Sequence, residues 1–526
     1  MRDVYLGLDS STQSLTATAI AVDGPRREII YEHSIAFDEA FPEYRTRHGV
    51  LPSDDPRRGT APPLLWVDTL DRMFETMAAS HLDLTRIRAI SGSAQQHGSV
   101  YLREGAGAAL ASLDPESPLA PQIAPLLSRT DAPIWLDCTT TDECAALTTA
   151  LGGDAALARL TGSRAYERFT AAQIRRFATL DPEGYAATDR IQLVSSFLAS
   201  LLAGRHASLE PADASGMNLM DLRMRRWSPA ALRATAPDLE RRLPRIEPSS
   251  TVVGELSPYW QQRHWLPRAK VVAWSGDNPS SLVGLGLIHP GHMAISLGTS
   301  DTLFGSIDAP DPDPSGSGHV FASPAGGYMA LTCFANGSLA RERVRDAYGL
   351  DWETFSRMLR DTPPGNGDAL MLPWFAPEIT PLITDPHPLR YGLDPADAPR
   401  NVRAVVEGQM LAMRVHARWM TSRVRSLRAT GGAATNREIL QVMANVFDAD
   451  VTRIKPGNSA SLGAALRAFH ADRASAGTPL AWDEIVAGFT DTSDVRVVPD
   501  PAAVATYARL LPIYEAVEAS VLDSIG

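Results

Sequence analysis

Hydrophobic residues cluster and alternate at the start of the chain in a way that predicts three short strands. The segments VYLGLD, LTATAIAV and REIIYEHSIAF follow one another, with a short turn after each of the first two. Strands joined by such turns favour an antiparallel meander. Apolar residues then recur at helical spacing, at Leu64, Leu65, Val67, Leu70, Met73, Phe74 and Met77. The segment IRAISGS returns to a strand pattern, so the first third of the chain is predicted to be mixed α/β.

A Pro- and Ser-rich interruption, PRIEPSSTVVG at residues 244–254, is the candidate boundary between two domains. We expect an N-terminal domain at residues 1–254, which binds the substrate and carries a first phosphate loop. We expect a nucleotide-binding C-terminal domain at residues 255–526. A chain of 526 residues is longer than one hydrophobic core usually stabilises, which agrees with two domains.

The opening pattern returns in the second domain. HMAISLGTSDTLFGSI, residues 292–307, reads as strand, small polar turn and strand. Residues 11–15 align with residues 299–303 at an offset of 288, and RAISGSAQQHG is echoed later by RATGGAATNRE. Two echoes in the same order suggest two related α/β halves that face each other.

The composition narrows the classes of partner. Hydrophobic residues make up 44% of the chain, charged residues 21%, and the formal net charge is -12. A net negative charge argues against binding to nucleic acids or anionic membranes, so we expect small-molecule partners. The 3 cysteines are too few for a disulfide framework or a zinc site, and no targeting stretch opens the chain, so a cytoplasmic protein is expected. Neither Lys270 nor Lys455 lies in a G-x-x-x-x-G-K-[ST] motif, which excludes that mode of phosphate binding.

Two hydroxyl-rich turns are candidate phosphate-binding loops. A tight turn between strands exposes successive backbone N–H groups, and Ser or Thr hydroxyls add further donors. The first turn holds Ser11, Thr12 and Gln13, and the second holds Thr299 and Ser300. The carboxylate of Asp9 would suit Mg²⁺, which prefers few carboxylates together with water and phosphate oxygens. Alternatively, each turn makes only local bonds between side chains and backbone.

The segment VVAWSGDNPSSLVGLGLI, residues 271–288, predicts a buried strand, a Gly-Asp-Asn-Pro turn and an apolar helix. A proline such as Pro279 suits the first position of a helix, so Asp277 or Asn278 is a candidate helix cap. A carboxylate at the end of a strand can also accept a proton from a hydroxyl. Asn278 is therefore expected to cap the helix, while Asp277 projects towards a ligand.

The segment SAQQHGSVYL places Gln95, Gln96 and His97 directly after a strand. Amides and an imidazole supply the mixed donors and acceptors that a polyol requires. The alternative is a structural histidine with its hydrogen bonds satisfied. Arg164 and Arg168 in TGSRAYERF add a candidate cationic arm, although arginines are usually solvated or paired surface groups.

Paired glycines in ATGGAATNREILQV, residues 429–442, allow a close backbone approach to a flat ligand such as adenine. The alternative is an ordinary turn before a helix. The chain contains neither HExxH nor a GxGxxG after a strand, so the metalloprotease and dinucleotide interpretations gain no support.

Together these segments resemble the FGGY carbohydrate kinase family. The similar motifs run in family order along nearly the whole chain: YLGLDSSTQ, SGSAQQHGSVY, SRAYERFT, SSFLASLLAG, SGMNLM, SGDNPSSL, ISLGTSDTLF, NGSLARE, ATGGAATNREILQVMANVFDADV and SASLGAALRAFH. The resemblance implies an α/β fold of two ribonuclease-H-like domains of the actin/hexokinase/Hsp70-like type. It also implies an active site in the cleft between them.

The resemblance assigns roles to particular residues. Asp277 matches the catalytic aspartate that takes the proton from the attacking sugar hydroxyl. Gln96, His97, Arg164 and Asn278 are implied to contact a ketopentose. Asp9, Ser11, Thr12 and Gln13 resemble the first phosphate loop, with Asp9 at the metal, and Thr299 and Ser300 resemble the second. Gly431, Gly432 and Asn436 are implied to line the adenosine pocket, with Trp352 at its flank.

Two positions depart from the family pattern. Asn445 stands where the adenosine motif usually has an aspartate. The usual arginine after the W-x-D motif is absent from IWLDCTT, where Cys138 follows Asp137. The first departure bears on nucleotide preference and the second on the sugar.

The activity implied by the resemblance is transfer of the γ-phosphoryl group of ATP, with Mg²⁺, to the terminal hydroxyl of D-xylulose. The alternatives are a sister kinase acting on ribulose, gluconate or glycerol, and a chaperone-like or sensor ATPase on the same fold. The expected partners are the sugar and ATP, and the resemblance also allows a homodimer.

Overall fold

The computed structural model describes residues 3–421, 423–454, 458–490 and 495–525. The chain folds into two compact units, each assembled from separate segments of the sequence. The first unit comprises Met1–Ile288, Val320–Tyr328 and Asn458–Asp491, and the second comprises His289–His319, Met329–Gly457 and Thr492–Gly526.

The strands, in chain order, have the following bounds: β1 Asp3–Ser10, β2 Ser14–Asp23, β3 Arg26–Ala36, β4 Thr60–Ala61, β5 Ile87–Ala94, β6 Ser99–Arg103, β7 Ala132–Pro133, β8 Thr188–Leu193, β9 Met220–Asp221, β10 Arg226–Trp227, β11 Val252–Glu255, β12 Lys270–Val272, β13 Ser275–Gly276, β14 His292–Leu297, β15 Asp301–Ile307, β16 His319–Ala322, β17 Tyr328–Phe334, β18 Leu370–Leu372, β19 Leu389–Tyr391, β20 Ser426–Thr430, β21 Val451–Arg453 and β22 Arg496–Val497.

The α-helices are α1 Phe37–Ala40, α2 Pro63–Ala78, α3 Ala106–Ala111, α4 Leu119–Ile123, α5 Thr141–Ala150, α6 Asp154–Thr161, α7 Thr170–Leu180, α8 Pro182–Ala186, α9 Val194–Ala203, α10 Pro211–Ser215, α11 Pro229–Thr235, α12 Leu239–Arg242, α13 Pro258–Arg263, α14 Asp277–Gly284, α15 Ser338–Ala347, α16 Trp352–Asp361, α17 Ala398–His416, α18 Arg437–Phe447, α19 Ser459–Ser475, α20 Trp482–Val486 and α21 Pro501–Ile525. Short 3₁₀ helices lie at Pro42–Tyr44, Leu84–Arg86, Ala124–Leu126, Asn366–Asp368 and Gly432–Thr435.

The main sheet of the first unit has the order β3-β2-β1-β5-β12-β11, and β13 also pairs with β5. β1, β2 and β3 pair antiparallel, which confirms the predicted meander. β5 then runs parallel to β1, and β12 runs parallel to β5. The predicted helix over residues 64–77 is also confirmed, as α2.

The main sheet of the second unit repeats this order. β14 pairs antiparallel with β15 and parallel with β20, and β20 pairs parallel with β21. The hairpin β14–β15 therefore corresponds to β1–β2, and β20 corresponds to β5. The two echoes in the sequence fall on these equivalent elements, and the predicted α/β class with two sheet-rich domains is confirmed.

The predicted boundary at residues 254 and 255 lies within the first segment of the first unit, where β11 pairs with β12. The division into a sugar-binding and an ATP-binding domain at that point stays a prediction. Within the described parts of the chain, no helix combines the length and the apolar character needed to cross a membrane.

Both faces of the first sheet are buried, which explains the almost continuous apolar run in β1. Val4, Leu6 and Leu8 join a large core that includes α2 and α9. On the opposite face, Tyr5 packs with residues of α19, a helix that comes from late in the sequence. The fully buried guanidinium of Arg467 on α19 donates to the carbonyl oxygens of Gly92 and Ala273, at 3.1 and 2.6 Å. These bonds satisfy backbone groups that the sheet leaves unpaired.

Helix α14 crosses α19 at two glycines. A Cβ on Gly284 would lie 1.9 Å from the carbonyl oxygen of Ser459, and a Cβ on Gly463 would lie 1.9 Å from that of Ser280. Real Cβ atoms do not approach backbone this closely, so only glycine lets the helices pack at this distance. Helix α14 begins at Asp277, three residues before Ser280 at this crossing.

We predict that Gly463→Ala lowers the free energy of unfolding by about 1–3 kcal/mol, because the added methyl forces α14 and α19 apart. In an unconstrained helix the same change would stabilise the protein by about 1 kcal/mol. Urea denaturation measures the difference. Gly254→Ala is the matched control, because its Cβ would meet only ordinary contacts of 3.4 Å or more. An unchanged or raised stability of Gly463→Ala would contradict the packing described here.

Candidate active site

Asp277 lies at the start of α14, directly after β13. Its Oδ1 accepts hydrogen bonds from the backbone N–H of Asn278 at 2.8 Å and from the Asn278 side chain at 3.1 Å. The helix cap is Gly276, with no side-chain cap bond, so the expectation that Asn278 caps the helix is wrong. The helix begins two residues before Pro279, which places both polar side chains inside its first turn. There they remain available to a ligand.

Burial raises the pKa of the Asp277 carboxyl to about 6, although hydrogen bonds from the N–H groups of Asn278 and Gln96 lower it. The pKa of Asp9 is raised to about 7, mainly by burial and in part by the charge of Asp277. At neutral pH Asp277 is therefore mostly ionised but easily protonated. A carboxylate of this kind is suited to accept a proton.

Gln96 lies beside Asp277 and Asn278, and His97 follows Gln96 in the chain; that these residues form a sugar site stays a prediction. The Oε1 of Gln96 accepts from the Asn278 side chain at 3.1 Å, whereas its buried Nε2 has no partner among the described residues. The Nδ1 of His97 lies 2.7 Å from the carbonyl oxygen of Gly216. Because a carbonyl only accepts, Nδ1 carries the proton and Nε2 is left as an acceptor. Burial lowers the pKa of His97 to about 3, so the ring is neutral.

Arg164 lies in the loop between α6 and α7. Its guanidinium lies 4.8 Å from the centre of the Tyr166 ring, and Arg168 lies 5.2 Å from the same ring. These contacts hold a cationic patch in place through cation–π attraction. A role of Arg164 in binding the sugar stays a prediction.

The first hydroxyl-rich turn joins β1 to β2. The N–H and Oγ of Ser11 both donate to the carbonyl oxygen of Ser14, at 2.9 and 3.1 Å, and the Oγ1 of Thr12 accepts from Trp135 at 2.8 Å. A local bond to the backbone thus occupies the hydroxyl of Ser11, as the alternative interpretation expected, whereas the hydroxyl of Thr12 bonds the side chain of Trp135, which is distant in sequence. The N–H groups of Thr12 and Gln13 donate to no acceptor in the described chain, and they are the donors that this turn offers an anion.

The structure adds residues that sequence reasoning missed. The Oγ of Ser93 donates to Asp9 at 2.6 Å, and Ser195 donates to the buried Asp213. Burial raises the pKa of Asp213 to about 8, and the charges of Glu210 and Asp277 add to this effect. The charge of Asp277 thus raises the pKa of both Asp9 and Asp213. The signal in the sequence was weak: an aspartate among small residues in PADASGMN.

The second hydroxyl-rich turn lies between β14 and β15 in the second unit, with Thr299 and Ser300 exposed. The buried ion pair between Asp301 and Arg341 fixes the end of the turn, at 2.9 and 3.1 Å. Ser338, the first residue of α15, donates its N–H to Gly298 at 2.8 Å. The turn is therefore a supported loop whose own hydroxyls face outward.

A cavity of about 330 Å³ lies in the second unit, beside α16 and α18. Trp352 and Gly432 line this cavity, and Asn436 lines it while capping α18 through bonds to the N–H groups of Glu438 and Ile439. A Cβ on Gly432 would meet nothing within 4 Å, whereas a Cβ on Gly431 would lie 2.5 Å from the carbonyl oxygen of Leu297. The lack of a side chain at Gly431 thus lets its backbone approach that of Leu297. At Gly432 the space beside the backbone is open to a ligand in the cavity. The other lining residues are Ser338, Arg341, Ala433, Thr435 and Ile439.

Asn445, the first departure from the family pattern, has a structural role here. The Oδ1 of Asn445 accepts from Gln441 at 3.0 Å and from the N–H of Asp500 at 2.8 Å, which ties α18 to the segment before α21. Asp137 accepts from Gln173 at 2.9 Å and from the N–H of Gly59 at 3.2 Å. Cys138, where an arginine is usual, is exposed.

Among the described residues, no three His, Cys, Asp or Glu side chains converge on a point that could hold a metal ion. A metal bound mainly by protein ligands would not fit this arrangement. Asp9 instead offers one carboxylate, which fits the way Mg²⁺ binds through few carboxylates, water and phosphate oxygens.

The chain matches the models of both domains of one family. Residues 127–284 match the N-terminal domain, and residues 293–471 the C-terminal domain, of the FGGY family of carbohydrate kinases. The chain belongs to this family. Membership implies a small-molecule sugar and ATP as substrates.

Curated relatives cover almost the whole chain. A xylulose kinase of Rattus norvegicus is 44% identical, over 99% of this chain and 98% of its own length. Xylulose kinase 2 of Arabidopsis thaliana is 42% identical, over 89% of this chain and 87% of its own.

Solved structures share the fold at lower identity. A xylulose kinase from Rhodospirillum rubrum superposes with a TM-score of 0.81 at 19% identity, covering 99% of both chains. A gluconate kinase from Lactobacillus acidophilus superposes with a TM-score of 0.81 at 19% identity, covering 99% of this chain and 98% of its own.

We predict that kcat/KM for the sugar falls about tenfold per pH unit below about pH 6, because the proton-accepting form of Asp277 is then lost. Rates measured from pH 5 to pH 8, at sugar concentrations well below the KM, would show this fall in kcat/KM. A profile that stays level down to about pH 5 would mean that the carboxyl has its ordinary acidity and that burial does not tune it.

We predict that Trp352→Ala raises the KM for ATP about tenfold and leaves the KM for the sugar unchanged, because a flat ring beside a nucleotide base stabilises binding by stacking. Trp265→Ala is the control, since Trp265 is 84% exposed and does not line the cavity. Equal KM values for ATP in the two variants would show that the adenine base does not bind in this cavity.

Proposed function

We propose that this chain transfers the γ-phosphoryl group of ATP to the terminal hydroxyl of D-xylulose, giving D-xylulose 5-phosphate and ADP. The observation that carries the chemistry is the carboxylate of Asp277, held by N–H donors close to Gln96, whose Nε2 has no partner in the described chain. The choice of sugar is supported by relatives at 42–44% identity that are named xylulose kinases.

In this mechanism Asp277 accepts the proton of the attacking hydroxyl as the bond to the γ-phosphorus forms. The Nε2 of His97 and the amide of Gln96 orient the sugar through its hydroxyls, and Asn278 fixes the rotamer of Asp277. Phosphoryl transfer needs positioning and charge stabilisation more than covalent chemistry. The residues named here supply the positioning and the proton acceptor.

The phosphate groups are assigned to the two hydroxyl-rich turns. Free N–H groups at Thr12 and Gln13 are donors for phosphate oxygens, and Thr299 and Ser300 supply exposed hydroxyls in the second turn. Asp9 is the residue that would hold Mg²⁺, and the bound ion would neutralise charge on the phosphates. Trp352, Gly432 and Asn436 line the pocket assigned to adenosine.

Asp277→Asn is expected to lower kcat by about 100- to 10,000-fold, because the amide cannot accept the proton. Sugar affinity should stay within a few fold, since the amide keeps the shape of the carboxyl. Coupled ADP release and sugar calorimetry measure the two quantities. Asp181→Asn is the control, because Asp181 caps α8 and asparagine caps equally well. A kcat within threefold of wild type for Asp277→Asn would refute the assigned role.

The sugar itself is tested by ADP release over a panel of pentuloses, sugar acids and glycerol. We expect kcat/KM to be highest for D-xylulose and ADP release without sugar to be negligible. Faster turnover of gluconate or glycerol would assign the chain to a sister kinase. Sugar-independent ADP release would instead identify an ATPase on this fold.

A further inference from the structure

Gln95 carries a buried amide that meets no protein partner. The residue is 2% exposed, and neither its Nε2 nor its Oε1 has a hydrogen-bond partner in the described chain. Buried polar groups are normally hydrogen-bonded, because a polar group that loses its hydrogen bonds to water and gains no new partner destabilises the fold. An amide with both ends free therefore points to a ligand or an ordered water molecule. The family resemblance gave a role to Gln96 and His97 and none to Gln95.

The position of Gln95 places this amide at the candidate active site. Its N–H donates to the carbonyl oxygen of Ser10 at 2.9 Å, so the pairing of β5 with β1 continues one residue beyond Ala94. Side chains two residues apart on an extended strand lie on the same face. Ser93, two residues earlier, uses that face to bond Asp9 at 2.6 Å. Gln95 thus shares a face with the residues assigned to phosphate transfer.

The chemistry of the free atoms favours a hydroxyl. Gln95 offers one donor group and one acceptor, and the adjacent Gln96 offers a further free donor, Nε2. A phosphate oxygen only accepts, so it would leave the Oε1 of Gln95 unsatisfied, and a cation would leave its Nε2 unsatisfied. A hydroxyl both donates and accepts. A polyol therefore satisfies this amide, whereas a phosphate or a metal does not.

We propose that Gln95 binds a hydroxyl of the sugar through both atoms of its amide and so helps to determine substrate specificity. This inference rests on the proposed function, since it takes the sugar as the ligand. It adds a specificity residue next to Gln96 and His97.

The test replaces Gln95 by methionine, which keeps the length of the side chain and removes its polar atoms. We expect Gln95→Met to raise the sugar KM about 10- to 100-fold, because a sugar hydroxyl loses its partner in a buried site. The KM for ATP should not change. The sugar-free protein should unfold at the same or a higher temperature than wild type, because no internal hydrogen bond is lost.

Gln173→Met is the matched control. Gln173 is also 2% exposed, but its Nε2 donates to Asp137 at 2.9 Å and to the carbonyl oxygen of Glu167 at 3.0 Å. This variant should lower the unfolding temperature. Gln95→Leu serves as a second variant with a different shape.

Each outcome for Gln95→Met decides the proposal. A lowered unfolding temperature of the sugar-free protein would overturn it, because the amide would then have a protein partner. An unchanged unfolding temperature with an unchanged sugar KM would also overturn it, because the amide would meet only water. A wild type that binds no sugar in calorimetry would instead refute the proposed function. The two failures can be told apart. If the wild type binds sugar and Gln95→Met binds it equally well, only the role of Gln95 is refuted.

Discussion

The partial burial of one carboxylate at the start of α14 is the constraint on which the proposed chemistry depends. Burial makes the Asp277 carboxyl less acidic, and N–H donors keep it largely ionised at neutral pH. Both effects require the helix to begin at this residue, directly behind β13. Three residues into the helix, α14 crosses α19 at a contact that admits no side chain at either glycine.

Around this carboxylate the first unit leaves polar atoms without protein partners. The amides of Gln95 and Gln96 and the imidazole of His97 have capacity for further hydrogen bonds, although all three residues are buried. Unsatisfied polar groups reduce the stability of a folded chain, and they persist where a ligand completes them. The second unit shows the opposite arrangement at its turn, where Asp301, Arg341 and Gln409 bond one another and the hydroxyls face outward.

The sequence was sufficient for the strand meander, helix α2 and the two related α/β halves, because each depends on local periodicity or on short patterns that recur in the chain. It was insufficient where distant segments meet. The pairing of Ser93 with Asp9 depends on the parallel register of β1 and β5, and the packing of α19 on β1 joins Tyr5 to Asp472, 467 positions apart. The prediction that Asn278 caps α14 was wrong for a local reason. Pro279 suits the first turn generally, and here it occupies the third position, so the cap fell on Gly276.

The environment of Asp277, and not its residue type alone, raises the proton affinity of its carboxyl. Carbon NMR of protein labelled at aspartate carboxyls, with Asp277→Asn used to assign the resonance, measures that affinity without turnover. The structure predicts a titration midpoint near pH 6 in the sugar-free protein. A midpoint near the ordinary aspartate value of about 4 would contradict it.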